Sequence, residues 1–205
     1  MKYLLIISII FISPTTLNAQ KHSDKYVSIA LFNTQNARPF GKFAGLFNEV
    51  LHPGIEVGYG KNFSVRNNHE WFTELKLAYF YHRFVQHGVP LYLDFGYRYK
   101  VKNYFSIESS IGAGYMQSIP ATAQLKLNSD GEYVKAKGIG RSQLTASFAI
   151  GLHHTLNPLA SKPLSIFAAY QQRVQMPFVK SYVPLLPYNN FLLGISKPIG
   201  KTNKK

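Results

Sequence analysis

The chain contains no cysteine among its 205 residues. That absence excludes a disulfide framework and a lipid-modified cysteine, so an exported chain of this size must be held by hydrogen bonds and packing alone. Long apolar runs are also missing. Beyond the first twenty residues every apolar stretch is broken by charges or by Gly and Pro, which excludes a bundle of membrane-spanning helices. Acidic residues are scarce, 9 against 23 Lys and Arg, for a formal net charge of +14. Such a balance suits either nucleic acid or anionic lipid head groups. Most of the basic residues lie in turns and in the tail (Lys100, Lys102, Lys126, Lys135, Lys137, Lys201, Lys204, Lys205) without a basic helix or stripe. A nucleic-acid partner is therefore not expected. Helical periodicity is nearly absent, and the seven histidines (His22, His52, His69, His82, His87, His153, His154) show no metal-ligand spacing, so neither a metal nor a cofactor is expected.

What is present begins with MKYLLIISIIFISPTTLNAQ. Lys2, the apolar run from Tyr3 to Ile12 and the small-residue pattern before Gln20 have the form of a secretory signal peptide cut after Ala19. Residues 1–19 are expected to be that signal, and residues 20–205 a single domain.

Period-2 alternation recurs through the rest. It predicts eight strands, at 26–33, 54–64, 70–84, 90–101, 104–117, 141–155, 163–175 and 188–198. Longer and shorter connections alternate between them, as in an up-and-down barrel with short turns at one end and longer loops at the other. Consider LYLDFGYRYK, residues 91–100. Leu91, Leu93, Phe95, Tyr97 and Tyr99 share one face, and Tyr92, Asp94, Gly96 and Arg98 the other. The same division holds in every segment: Val27, Ile29, Leu31 or Leu75, Leu77, Tyr79 on one parity, Gly58, Gly60 or Ser110, Gly112, Gly114 on the other. An eight-stranded lumen is only just wide enough for side chains, so the bulky parity must face outward, with Trp71, Tyr81, Tyr99, Tyr115 and Phe191 near the edges of an apolar band. The expected fold class is all-β, an eight-stranded antiparallel up-and-down transmembrane β-barrel, with strands long enough for the roughly 9–11 residues a crossing needs.

The signal peptide, the eight amphipathic segments and the Gly-rich face resemble the small outer-membrane barrels of the OmpA and OmpX type. The phrases LHPGIEVGYGKNF, FYHRFVQHGVPLYLDFGYRYK and FVKSYVPLLPYNNFLLGIS are similar to a group of envelope barrel proteins with no assigned activity. The resemblance implies location in the cell outer membrane, among its lipid and lipopolysaccharide, with an envelope protein as a candidate partner through the outer loops.

Four features are candidates for function. Glu56, Glu74, Lys76, Asp94, Arg98, Glu108 and Arg173 fall on the small-residue parity and are expected to form an ion-pair network that fills the lumen; a polar filter or proton path is the other reading. His82 and His87 are expected near the outer rim, where a lipid-modifying enzyme would need a serine hydroxyl such as that of Ser118 or Ser181 beside them. In residues 40–54, Phe43, Leu46, Phe47, Val50 and Leu51 recur at helical spacing, which predicts a short amphipathic helix at the membrane interface or over the mouth, or a loop packed on its neighbours. Residues 118–140 predict a protruding hairpin around the Asn128–Gly131 turn. Phe178, Tyr182, Leu185, Leu186 and Tyr188 make the loop from 178 to 190 an expected contact surface or lid. The favoured reading is a non-enzymatic barrel with a structural or loop-mediated binding role, with a lipid-modifying enzyme or a small pore as alternatives.

Overall fold

The computed structural model describes residues 25–37, 45–66, 68–83, 85–102, 104–122, 125–129, 131–135, 138–160, 162–178 and 184–199; the expected signal segment and the ends of the expected 20–205 domain lie outside them. The elements are β1 (Lys25–Asn36), α1 (Gly45–Asn48), β2 (Pro53–Arg66), β3 (His69–His82), β4 (Gln86–Lys102) and β5 (Phe105–Pro120). After them come β6 (Leu125–Leu127), β7 (Tyr133–Lys135), β8 (Arg141–Leu156), β9 (Leu164–Met176) and β10 (Leu186–Ile199). Eight strands close an antiparallel barrel in the order β1-β2-β3-β4-β5-β8-β9-β10, while β6 and β7 form a separate hairpin. Closure between β1 and β10 runs from Lys25↔Ile199 to Asn36↔Tyr188, so no sheet edge is left to meet lipid.

Side-chain period decides which face goes in. Along β3 exposure alternates almost residue by residue from His69 to His82. The bulky parity is outside: Leu91, Leu93 and Phe95 are 46%, 52% and 43% exposed, whereas Tyr92 and Asp94 between them are 2% and 1% exposed. A continuous apolar exterior of this kind is stable only in hydrocarbon. Among the described residues no helix is long and apolar enough to cross a membrane; the strands do the crossing. On the exterior of β3 and β4, Trp71 packs with Phe95 and Tyr97 near the short-turn end, and Tyr79 and Tyr81 pack with His87 near the long-loop end. Ten residues at ~3.3 Å, tilted by ~40°, place those two girdles ~25 Å apart along the barrel axis, the height of an outer-membrane apolar band.

The interior is bulkier than the small-residue expectation. Tyr26, Phe32, Phe72, Phe80, Tyr92, Met116, Tyr188 and Leu192 are all buried. Room comes from cross-strand pairing: Phe32 lies opposite Gly54 and Tyr26 opposite Gly60, Phe80 opposite Gly88 and Phe72 opposite Gly96. A Cβ at any of these four glycines would fall within 2.3 Å of the ring beside it, so each ring occupies the space its partner leaves.

Longer and shorter connections alternate along the chain as expected, but the contrast between the two ends narrows. The β3–β4 connection shrinks to residues 83–85, because His87, Gly88 and Val89 continue the ladder against β3 and β5, while the β8–β9 turn at the opposite end takes residues 157–163. The hairpin around Asn128 forms as expected: Asn128 Oδ1 accepts from the Glu132 amide at 2.8 Å, and Gly131 takes φ of 80°, the left-handed conformation that favours glycine.

Candidate functional site

Lumen side chains divide into two zones. Toward the short turns, ion pairs dominate. Lys76, projecting from β3, reaches Asp94 at 3.0 Å, Glu56 at 3.4 Å and Glu74 at 3.7 Å. Neighbouring strands supply hydroxyls to the same carboxylates: Ser28 donates to Glu74, Tyr26 to Glu74 at 3.3 Å, and Tyr92 to Glu56. Arg173 lies 3.7 Å from Glu56 and 4.5 Å over the Tyr92 ring. Below this cluster Arg98 donates to Glu108 through Nε (3.0 Å) and Nη2 (2.7 Å) and to Glu70 at 3.4 Å. Its guanidinium lies over the Phe72 ring at 5.0 Å and the Tyr26 ring at 5.6 Å. His153 Nε2 approaches Glu108 at 3.1 Å, and Lys100 caps Glu70.

Thus Glu56, Glu74, Lys76, Asp94 and Arg173 meet in one cluster, and Arg98 with Glu108 in a second. Buried charges persist when they are paired and hydrogen-bonded; the pairing is met here, while Asp94 Oδ1 and Arg173 Nε and Nη1 have no hydrogen-bond partner among the described residues. Between the clusters lies a polar cavity of ≈ 20 Å³, lined in part by Tyr26, Glu74, Lys76, Glu108 and His153, enough for about one water.

Toward the long loops, amides replace charges. Gln86 Nε2 donates to Gln175 Oε1 (2.7 Å) and to the Tyr188 hydroxyl (2.6 Å). Tyr188 donates to Gln175 at 2.9 Å, Gln175 to Gln143, Ser118 to Gln86, and Asn190 to Gln171 at 2.8 Å. Phe32, Phe80, Met116 and Leu192 fill the space beside them. Over this layer His52 stacks on His82, ring centroids 3.8 Å apart, and His82 lies edge-on to Tyr188 at 6.3 Å.

Glu70 and His153 were not among the expected lumen charges, although both lie on the inward parity of their strands, with Glu74 and with Gly151. The amide layer was missed because Gln and Asn carry no charge to mark them.

Tyr188 departs from the expected contact surface: it is 1% exposed and belongs to the lumen, because β10 begins at Leu186 and turns it inward toward Gln86. Tyr182 lies outside the described residues. Leu185 is 52% exposed, and Leu186 is half-buried. Phe178 is also half-buried; its carbonyl accepts from Arg141 Nη1 at 3.1 Å and its ring lies 5.8 Å from that guanidinium.

The rim histidines find no serine partner among the described residues. His87 bonds the Tyr79 hydroxyl at 2.8 Å on the outer wall, His82 stacks on His52, and Ser118 is committed to Gln86; Ser181 lies outside the described residues. No group of three or more His, Cys, Asp or Glu among the described residues is placed to hold a metal.

No family model matches the chain, and no curated protein does. Solved structures do. Neisserial surface protein A (NspA) is 9% identical, covers 88% of this chain and 100% of its own, and superposes with a TM-score of 0.55. Ail, the attachment invasion locus protein of Yersinia pestis, solved with the heparin analogue sucrose octasulfate, is 16% identical over 85% of this chain and 97% of its own, TM-score 0.47. The outer membrane enzyme PagL is 11% identical over 85% and 99%, TM-score 0.44. At these identities the likeness is one of fold: the chain has the small closed barrel of outer-membrane proteins, and its exposed apolar belt places it in that membrane.

Proposed function

We propose that this barrel works through its long-loop end, as an envelope structural or binding protein whose interior is a packed core. The observation that carries the reading is the lumen's outer layer, in which Phe80, Met116, Gln86, Gln175 and Tyr188 are all 1% exposed or less. Chemistry with a partner is thereby left to the loops. There, large apolar side chains stand out: Leu125 is 62% exposed, Tyr133 74%, Ile139 82% and Leu185 52%. Exposed apolar groups in a stretch whose sequence also carries Lys126, Lys135, Lys137 and Arg141 suit an envelope protein or the anionic head groups of lipopolysaccharide. The role is non-enzymatic in this reading, since His82 and His87 are occupied by ring and hydroxyl partners rather than by a serine.

The test is a pull-down from crosslinked envelopes with the loop 178–185 intact, then replaced by a short turn that keeps Tyr188 in place. Loss of the adducts with the barrel still heat-modifiable on unheated gels supports the reading. An unchanged adduct pattern after shortening both that loop and the 125–135 hairpin would overturn it.

A further inference from the structure

The lipid belt is uneven. On β3 it extends from Trp71 to Tyr81, but on β1 the outward apolar residues stop at Val27, Ile29 and Leu31, and on β10 at Ile195, Leu193 and Phe191. Four residues of tilted strand span only ~10 Å of the ~25 Å band. Beyond them the outward positions are polar: Asn33 and Gln35 on β1, Asn189 on β10. Yet Gln35 is 3% and Asn189 0% exposed: Tyr170 donates to Asn189 Oδ1 at 2.9 Å, and Gln35 has a cover of its own.

The cover is the segment 45–51, which folds back over the outside of the β1–β10 seam. Its polar backbone is turned toward the wall: Asn33 Nδ2 donates to the Leu46 carbonyl at 2.7 Å, Gln35 Nε2 to the Val50 carbonyl at 2.6 Å, and the His52 amide to Asn33 Oδ1 at 2.8 Å. Leu46 is buried beneath the segment, and Phe47 packs edge-on against Phe191 at 5.4 Å. Phe47 remains 60% exposed beside Phe191, and Val50 and Leu51 are 57% and 69% exposed. Polar groups inward and apolar groups outward is the arrangement hydrocarbon demands of a non-strand segment, and the reverse of what water selects.

We propose that residues 45–51 are a lipid-seated strap: they lie against the acyl chains at the outer boundary of the bilayer and complete the apolar belt where β1 and β10 fall short. Glu49, exposed on the same segment, sets the depth, because its carboxylate belongs at head-group level. The proposal depends on the barrel reading above and goes beyond it, by removing the first long loop from the surface offered to water-borne partners and leaving that role to the 125–135 hairpin and the 178–185 loop.

The lack of native cysteine allows single nitroxide labels. Phe47→Cys, Val50→Cys and Leu51→Cys, labelled in the full chain folded into phosphatidylcholine vesicles, are compared with Leu93→Cys on the belt and Leu159→Cys in the β8–β9 turn, whose parent residues are 52% and 100% exposed. Accessibility to oxygen is expected to exceed accessibility to a water-soluble nickel chelate at 47, 50 and 51, as at 93. Nickel-chelate preference at all three matching 159, or exclusion of both reagents, overturns the strap. Should Leu93→Cys itself read as water-exposed, the barrel's place in the membrane fails instead, so the two failures are distinguishable.

Discussion

The two halves of the lumen are built from the same wall and filled by different chemistry. In the short-turn half, Lys76, Arg98 and Arg173 face five carboxylates, and inward residues such as Ser28, Glu108, Phe167 and Ser196 keep partial exposure. In the long-loop half, amides, rings and Met116 are nearly solvent-free. Asp94, Arg173, Glu56 and Glu74 are themselves only 1–4% exposed and are tolerated because counter-charges converge on them, whereas the other layer is closed by neutral groups with fixed donors and acceptors. Both halves fill the lumen, one by converging charges and one by neutral hydrogen bonds and apolar packing.

Breaking the charged half has the largest expected effect. Lys76→Met strands Glu56, Glu74 and Asp94 without their shared cation and should cost about 3–5 kcal/mol, measured by urea unfolding in vesicles through the single tryptophan, Trp71. In the amide half, Gln175→Leu leaves Gln86, Gln143 and Tyr188 short of partners. It should cost about 1–3 kcal/mol in the same assay, and a loss exceeding that of Lys76→Met would invert the comparison.

A smaller effect is expected at the mouth. Burial pushes His52 below the ordinary imidazole value of 6.5, Arg83 adds to the depression, and a hydrogen bond with the Thr34 backbone and nearby Glu49 oppose it; His82 and Tyr188 complete its titratable surroundings. The unfolded chain therefore binds this proton more readily than the folded one. The contribution to stability is intact above pH 6.5 and falls on acidification below it. A label at Leu51→Cys should gain mobility as pH falls below 6.5, and His52→Asn should flatten that response. Smallest of all, replacing residues 179–185 by a short turn that keeps Pro177 and Phe178, whose carbonyls accept from Gln143, should move unfolding stability by less than about 0.5 kcal/mol.

The exterior was legible in the sequence because one property repeats along it: Leu91, Leu93 and Phe95 need only be apolar and odd-numbered. The charge clusters followed from parity, as Lys76 and Glu74 share a face with Gly58 and Asp94 with Gly112. Less legible were contacts made across strands. That Phe72 fits because Gly96 stands beside it, or that Gln86 and Gln175 meet, depends on register rather than on chain order. Tyr188 falls both at the start of the expected strand 188–198 and in the expected contact loop 178–190, and the ladder with β9, which begins two residues earlier at Leu186↔Gln175, decides for the strand. The strap's helical spacing was visible, and among the described residues one turn, Gly45–Asn48, is helical; Phe43 lies outside them. Which side of the wall it would lie on depended on Asn33 and Gln35, polar residues on an apolar parity whose meaning required their partners.

The central claim is that the lumen is a packed core and not a passage. Single-channel recording of the full chain in a planar bilayer tests it directly: the packing of Phe80, Met116, Gln86 and Tyr188 predicts a silent membrane under applied voltage, and reproducible conductance steps from the wild-type barrel would contradict it.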